Sequence, residues 1–385
     1  MIKLLKNARV YAPDPLGRQD LLLAGERIVR IHPDLSAYEG LPDVEIFDLQ
    51  GKILVPGYID LHVHITGGGG EQGPASRVPE AQLHHFLSSG VTTLVGLLGT
   101  DGITRSLESL VAKARALQEE GLSVYTLTGS YGYPTCTLTG SVERDIVLVP
   151  PMVGVKIAVS DHRSSNPSGE DLIALASAAR RAGLLSGTAG LTVMHMGSGR
   201  GGLDPLFYAL DHSDIPAKNF LPTHMLRTQE LMLQGAELVR RGGYMDCTAG
   251  SSDLELEEYS DRLAQLLRMD EVSADHVTLS SDAFGSQPRF DAQGNCVGLI
   301  YTSPRYLHQT VLGLIRRGIP LEEALRLLTS TPAAVLDLSG RKGCVAPGAD
   351  ADLLVLNEGL EMDSLFVRGR TAIWNEEIRL KGRFE

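Results

Sequence analysis

The placing of its metal-ligand side chains constrains this chain more than any other feature. His62-Val63-His64, Lys156, His195, His224 and Asp282 each stand at or near the end of a short apolar run. His62 and His64 are two apart, so on a strand both side chains point to one face. In a closed barrel of parallel strands, the C-terminal strand ends form the active site. Ligand types at five such ends predict a (β/α)8 barrel that gathers them at one mouth around two metal ions.

Taken singly, each residue has an ordinary structural explanation. A lone His-x-His pair is more often two satisfied core histidines, and His195, His224 and Asp282 alone would read as structural. Together they read differently. A buried carboxylate needs a partner, and a metal is the obvious one once four histidines converge on Asp282. Lys156 is the least obvious member, because its ammonium has no lone pair to offer. Its run, Val153-Gly154-Val155-Lys156-Ile157-Ala158, is too apolar for a solvated lysine. It could pair with a carboxylate, snorkel outward, or lose its proton on burial and add carbon dioxide, giving a bridging carbamate. The residues themselves leave these open. His84 and His85 fall on a predicted helix, and His32, His212, His276 and His308 in polar or loop-like surroundings. His162 stands nearer the site without an assigned part.

The rest of the pattern agrees with a TIM-like α/β fold. Eight runs read as parallel strands buried on both faces: Tyr58–His64, Thr92–Leu97, Val124–Thr128, Val153–Ala158, Leu191–His195, Leu221–His224, Tyr244–Cys247 and Val277–Ser281. Between them, Arg105–Glu119 carries apolar residues at i, i+3 and i+4. Asp171–Gly183 and Thr228–Gly242 also read as helices, each closed by its glycine. An open doubly wound sheet is the rival, but no GxGxxG follows the first strand. Both ends of the chain are instead β-rich and alternating. Residues 1–54 and 344–385 are therefore expected to form one small β-sandwich domain, with the barrel spanning 55–343.

Composition limits the partners. With 385 residues there is room for one barrel and one small domain. A net charge of −12 argues against nucleic acid or an anionic membrane as partner. No run of about 18 apolar residues is present. Met1–Asn7 lacks the apolar core of a secretion signal. Four scattered cysteines, Cys136, Cys247, Cys296 and Cys344, suggest a reducing compartment. A cytoplasmic location is expected.

Longer motifs carry a family resemblance. Pro56-Gly57-Tyr58-Ile59-Asp60-Leu61-His62-Val63-His64, Thr331-Pro332-Ala333-Ala334 and Pro347-Gly348-Ala349-Asp350-Ala351-Asp352-Leu353 resemble the amidohydrolase superfamily. Five further stretches narrow the match: Gly67–Pro74, Gly96–Asp101, Thr139–Glu143, Ser160–Ser164, and Leu279–Asp282 running into Gly285–Pro288. Together they resemble the isoaspartyl (β-aspartyl) dipeptidase family over nearly the whole chain.

The resemblance implies two zinc ions, one on His62, His64 and Asp282 and one on His195 and His224, bridged by a carboxylated Lys156. It implies a shared hydroxide as nucleophile and Asp282 as proton carrier. Glu71 would hold the substrate α-ammonium, while Arg163 and Arg227, with Ser286, would hold its carboxylates. Tyr131 would polarise the scissile carbonyl, and Gly69 and Thr100 would touch substrate. The expected reaction is hydrolysis of β-aspartyl dipeptides by a homo-oligomer, an octamer by family resemblance. The ligand set would also accept Mn, Fe, Co or Ni.

Two rivals share the centre or the fold. One is an amidohydrolase for cyclic amides or N-acyl amino acids, of the dihydroorotase or hydantoinase type. The other is a catalytically dead scaffold, which usually lacks ligands that are all present here. Two departures concern specificity. Tyr131 is followed by Gly132-Tyr133-Pro134-Thr135-Cys136, and Met225-Leu226 stand where the family pattern has an asparagine just before the arginine. These leave the leaving-residue preference open.

Overall fold

The computed structural model describes residues 2–290 and 296–385. Met1 and the side chains of Pro288 and Cys296, all quoted above, lie outside the described residues. Cys136, Cys247 and Cys344 are free thiols.

Both ends of the chain build one nine-stranded sheet. Ile53–Pro56 is the join: it runs parallel to Ile2–Tyr11 and antiparallel to Leu353–Leu356. Met362–Val367, Arg370–Trp374 and Glu377–Ile378 extend the sheet by antiparallel pairing. Its apolar core includes Leu5, Leu21, Phe47, Leu54, Leu353 and Phe366. Phe47 stands edge-on to both Phe366 and Trp374, with ring centroids 5.3 and 4.7 Å away.

The middle of the chain is α/β with a curled parallel sheet. All eight predicted strands are present, with ends displaced by no more than a residue. Tyr58–Val63, Val91–Gly96, Ser123–Gly129, Met152–Val159, Leu191–Met196 and Phe220–Thr223 pair in chain order. Met245–Thr248 and Val277–Ser280 form a separate parallel pair. At the two seams the ladder stops but contacts continue. Met225 N donates to Asp246 O at 3.2 Å, and His64 N to Ala283 O at 2.9 Å. A buried carboxylate also crosses each seam. Asp246 accepts hydrogen bonds of 2.6 Å from Thr223, Thr278 and Ser280. Asp60 accepts from the Ser281 hydroxyl and, at 3.1 Å, from its backbone N–H.

Helices separate the strands for the reasons their sequences suggest, with two corrections. Leu107–Glu120 buries Leu107, Leu110, Ala114 and Leu117, and Ser106 caps its first turn. Arg105, expected inside this helix, precedes it. Its guanidinium is buried and donates to the carbonyls of Thr66 and Val78, clamping the glycine loop. The second correction concerns Gly183. The helix Gly169–Ser186 passes through it and ends at Gly187, whose φ is +68°. Gly183 is required by packing: a Cβ there would lie 2.7 Å from Cα of Gly190. Thr331–Ala334 lies in a short helix, Ser330–Val335. Ala333 and Val335 of it pack against Leu61, Leu127, Val193 and Leu221 of the parallel strands.

Candidate metal-dependent active site

The C-terminal ends of the parallel strands bring the six predicted ligands together. His62 lies in Tyr58–Val63 and His64 just past its end. Their rings are 5.5 Å apart, and both Nε2 atoms face Oδ1 of Asp282, at 3.4 and 3.1 Å. The ligand atoms of these three residues lie within 4.8 Å of one another, a group that could hold a metal ion. The His224 ring is 5.1 Å from that of His62 and 4.5 Å from that of His195. Lys156 is fully buried, with Nζ 3.0 Å from Nε2 of His62. His224 and Asp282 both adopt left-handed backbone, φ +65° and +50°. Such conformations are uncommon away from glycine and gather at functional sites.

Burial sets the charge state of this centre. It holds the His62 and His224 imidazoles well below their ordinary range and takes His195 to about 3. All three are therefore neutral at pH 7, the form that binds a cation. Burial also lowers the Lys156 ammonium to about 7. For Asp282 burial would raise the carboxyl, but its hydrogen bond with His64 and the fields of neighbouring groups outweigh it and hold it below its ordinary range. Nδ1 of His64 and Nε2 of His224 are buried without a hydrogen-bond partner among the described residues. An unmade bond of that kind costs about 1–3 kcal/mol. Neutral imidazoles with free lone pairs beside a carboxylate fit a divalent cation.

Above the ligands lies a cavity of about 240 Å³, lined by Gly69, Glu71, Thr100, Tyr131, Arg163, Arg227 and Ser286 among others. It contains every predicted substrate contact. Oε1 of Glu71 accepts from Thr100 Oγ1 at 3.0 Å and from Arg163 Nη1 at 3.3 Å. Gly69 has φ +77°, and a side chain there would run into the Ser76 carbonyl, so only glycine lets this loop approach the cavity. The Tyr131 hydroxyl lies 2.7 Å from Nδ1 of His195, and burial pushes the phenol far up, keeping it a donor. The Arg163 guanidinium sits 5.2 Å from the centre of the Tyr131 ring. Arg227 donates to the Met196 carbonyl at 2.6 Å. His162 points outward, 86% exposed. His308, expected in polar surroundings, is buried in the helix Arg305–Arg316, where Tyr58 and the Leu360 carbonyl satisfy its nitrogens.

Comparison with known proteins decides the family. Residues 274–380 match a model of the amidohydrolase family. The structure superposes on the β-aspartyl dipeptidase of Fervidobacterium islandicum AW-1 in complex with β-Asp-Leu, with a TM-score of 0.90. The two chains are 40% identical, and the match covers 98% of each. The chain belongs to the β-aspartyl dipeptidase family. A second structure of that dipeptidase gives a TM-score of 0.88 at 38% identity, covering 98% of this chain and 99% of the other. A dihydroorotase of Clostridium acetobutylicum is 32% identical over 132 residues, 32% of this chain. The match spans only 29% of the dihydroorotase's own length.

Four residues of this β-aspartyl dipeptidase family member were not singled out from sequence. Asp161 binds Arg163 bidentately at 2.9 and 3.0 Å and stands 3.2 Å from Nε2 of His195. Burial would raise its carboxyl, but the His195 and Arg163 bonds hold it far below the usual range. Asp161 thus orients a predicted ligand and a predicted substrate arginine together. Glu255, Tyr259 and Gln287 complete the cavity wall. Asp161 lies in the quoted Ser160–Ser164 motif, two residues before an arginine. Glu255 and Tyr259 lie on the helix Asp253–Leu267, which follows the C-terminal end of the strand Met245–Thr248, and that strand end is the signal that could have found them.

Proposed function

We propose that this chain is a metal-dependent dipeptidase that hydrolyses β-aspartyl (isoaspartyl) dipeptides. The observation that carries the reading is the cavity, which sets the Glu71 carboxylate beside two guanidiniums, Arg163 and Arg227, above Asp282 and His64. A β-aspartyl dipeptide presents the complementary set, one α-ammonium and two carboxylates. The F. islandicum relative was solved with such a dipeptide.

In this reading His62, His64 and Asp282 would hold one zinc ion and His195 and His224 a second, and Lys156, carboxylated by CO2, would supply an anionic ligand to them. Its burial in an apolar strand and lowered basicity support a free amine able to add CO2. Divalent cations held there supply hydroxide near neutral pH and polarise an amide carbonyl.

The chain's own residues do the rest. Asp282 accepts the proton of the attacking water and returns it to the leaving nitrogen. The Tyr131 hydroxyl donates to the scissile carbonyl oxygen as negative charge gathers there. Glu71, steadied by Thr100, receives the α-ammonium. Arg163 and Arg227 pair with the carboxylates, with Gly69 and Ser286 bordering the aspartyl part.

The eight parallel strands are read as one (β/α)8 barrel over 55–343, supported by the hydrogen bonds at both seams. Residues 1–54 and 344–385 are read as the small β-sandwich domain. Among the described residues no helix is long and apolar enough to cross a membrane. A cytoplasmic homo-oligomer, an octamer as the family resemblance implies, is part of the same proposal. Leu184 and Leu185, 72% and 78% exposed on one helix, would suit a subunit contact.

The test offers β-Asp-Leu and α-Asp-Leu to purified enzyme with metal and bicarbonate. Faster cleavage of β-Asp-Leu, abolished by chelation, is expected. Equal or faster cleavage of α-Asp-Leu removes the reading. Glu71→Gln separates it from a cyclic-amide hydrolase: dipeptide turnover falls sharply only where an ammonium is recognised.

A further inference from the structure

Among the described residues, the carboxylates of the active-site cavity are not all partnered by a basic side chain. Glu71 faces Arg163, and Asp282 faces His62 and His64. Glu255 lines the same cavity and has no cationic partner among the described residues. Its side chain is nevertheless fixed. Oε2 accepts from Ser251 N at 2.9 Å and from the Ser251 hydroxyl. That hydroxyl also lies 3.0 Å from Oε1 of Gln287, another residue of the wall. A carboxylate held by two donors on the first turn of the helix Asp253–Leu267 is already oriented before any ligand arrives.

Its position relates it to one part of the substrate. Glu255 and Arg227 line the main cavity together, with Tyr259 and Gln287. Beyond Glu255 the surface opens into a second cavity of about 930 Å³, which Glu255 also lines. Asp253 and Glu258 border it on the same helix, with the rings of Tyr301 and Tyr306. The one cation among its described residues, Arg305, is engaged by the Tyr306 hydroxyl at 2.7 Å. Glu258 is paired with Arg262, which leaves Glu255 as the carboxylate that lines both cavities without a cationic partner among the described residues.

We infer that Glu255 is a specificity-determining residue that selects β-aspartyl dipeptides with a basic leaving residue, lysine or arginine. The inference rests on the proposed dipeptidase reading. With the leaving residue's α-carboxylate on Arg227, its side chain passes Tyr259. A four-carbon ammonium or a guanidinium then reaches Glu255, with its aliphatic stem on the ring. A neutral side chain gains the stem contact alone.

The experiment compares kcat/KM for β-Asp-Lys, β-Asp-Arg, β-Asp-norleucine, β-Asp-Leu and β-Asp-Glu in the holoenzyme. Norleucine matches the lysine stem without its charge. The expected preference for lysine over norleucine is about tenfold, as for one charge-assisted hydrogen bond at a partly exposed site. It should shrink as salt is raised. In Glu255→Gln the lysine-to-norleucine ratio falls to near one, and Glu255→Lys turns the preference toward β-Asp-Glu. Equal rates for lysine and norleucine in the wild type overturn the inference. So does a ratio unmoved by Glu255→Gln. Loss of β-Asp-Leu cleavage itself refutes the dipeptidase reading, and the inference with it.

Discussion

Nζ of Lys156 lies 3.0 Å from Nε2 of His62, inside a strand in which every residue is buried. An ammonium there would face a neutral histidine with no solvent to screen it, which is unfavourable. A carbamate would place an anion among the imidazoles instead. Lys156→Ala should lower kcat by more than about 100-fold, the upper range for outer-sphere partners of a metal site. Metal content by mass spectrometry should fall with it. Millimolar acetate or propionate should restore part of both by refilling the space with a carboxylate. Unchanged metal content and rate would mean that Lys156 is not a bridging group.

Tyr131 touches Nδ1 of His195 at 2.7 Å yet belongs to the cavity wall. A donor aimed at developing negative charge contributes roughly 100- to 1000-fold to kcat. Tyr131→Phe should lose about that much while its melting temperature stays within a few degrees. A fall confined to KM would assign Tyr131 to binding instead.

Asp246 supplies a pH-dependent prediction. Burial pushes its carboxyl up to about 6, against the stabilising pull of its three hydroxyl partners. The unfolded chain titrates near 4. Between those values the folded state holds a proton that the unfolded state has lost, so this group favours folding in acid. Its contribution declines as pH rises through about 6. Asp246→Asn removes the charge and hence this slope. Unfolding free energies at pH 4 and 7 should show the variant gaining on the wild type by up to about 3 kcal/mol. Parallel pH profiles would show that the carboxyl titrates normally.

Gly183 offers a packing test. Alanine is the better helix former by about 1 kcal/mol, yet its Cβ would lie 2.7 Å from the Cα of Gly190. Gly183→Ala should therefore destabilise by about 1–3 kcal/mol, as overpacking does. A raised melting temperature would show that the two backbones can separate freely.

What the sequence revealed and what it concealed follow from the range of the interactions. The eight strands were legible because burial on both faces removes alternation and leaves short apolar runs, as in Met152–Val159. His62, His64, His195, His224 and Asp282 were legible because parallel strands align their ends. Arg105 was misplaced in a helix because its apolar neighbours continue the helical period. Its partners, Thr66 and Val78, lie 39 and 27 residues away and leave no local mark. Gly183 looked like a helix stop because a packing glycine and a capping glycine are spelled alike. Nothing local in the sequence distinguishes Asp161 or Glu255 from a solvated charge. Only the fold reveals that one faces His195 across 34 residues and the other borders the cavity.

The nine-stranded sheet has a consequence for biosynthesis. Ile53–Pro56 acquires its neighbour Leu353–Leu356 only after the intervening α/β region has left the ribosome. Until then the nascent chain carries an open strand edge, the kind of surface that invites wrong pairing. Slowed elongation before residue 356 would prolong that exposure.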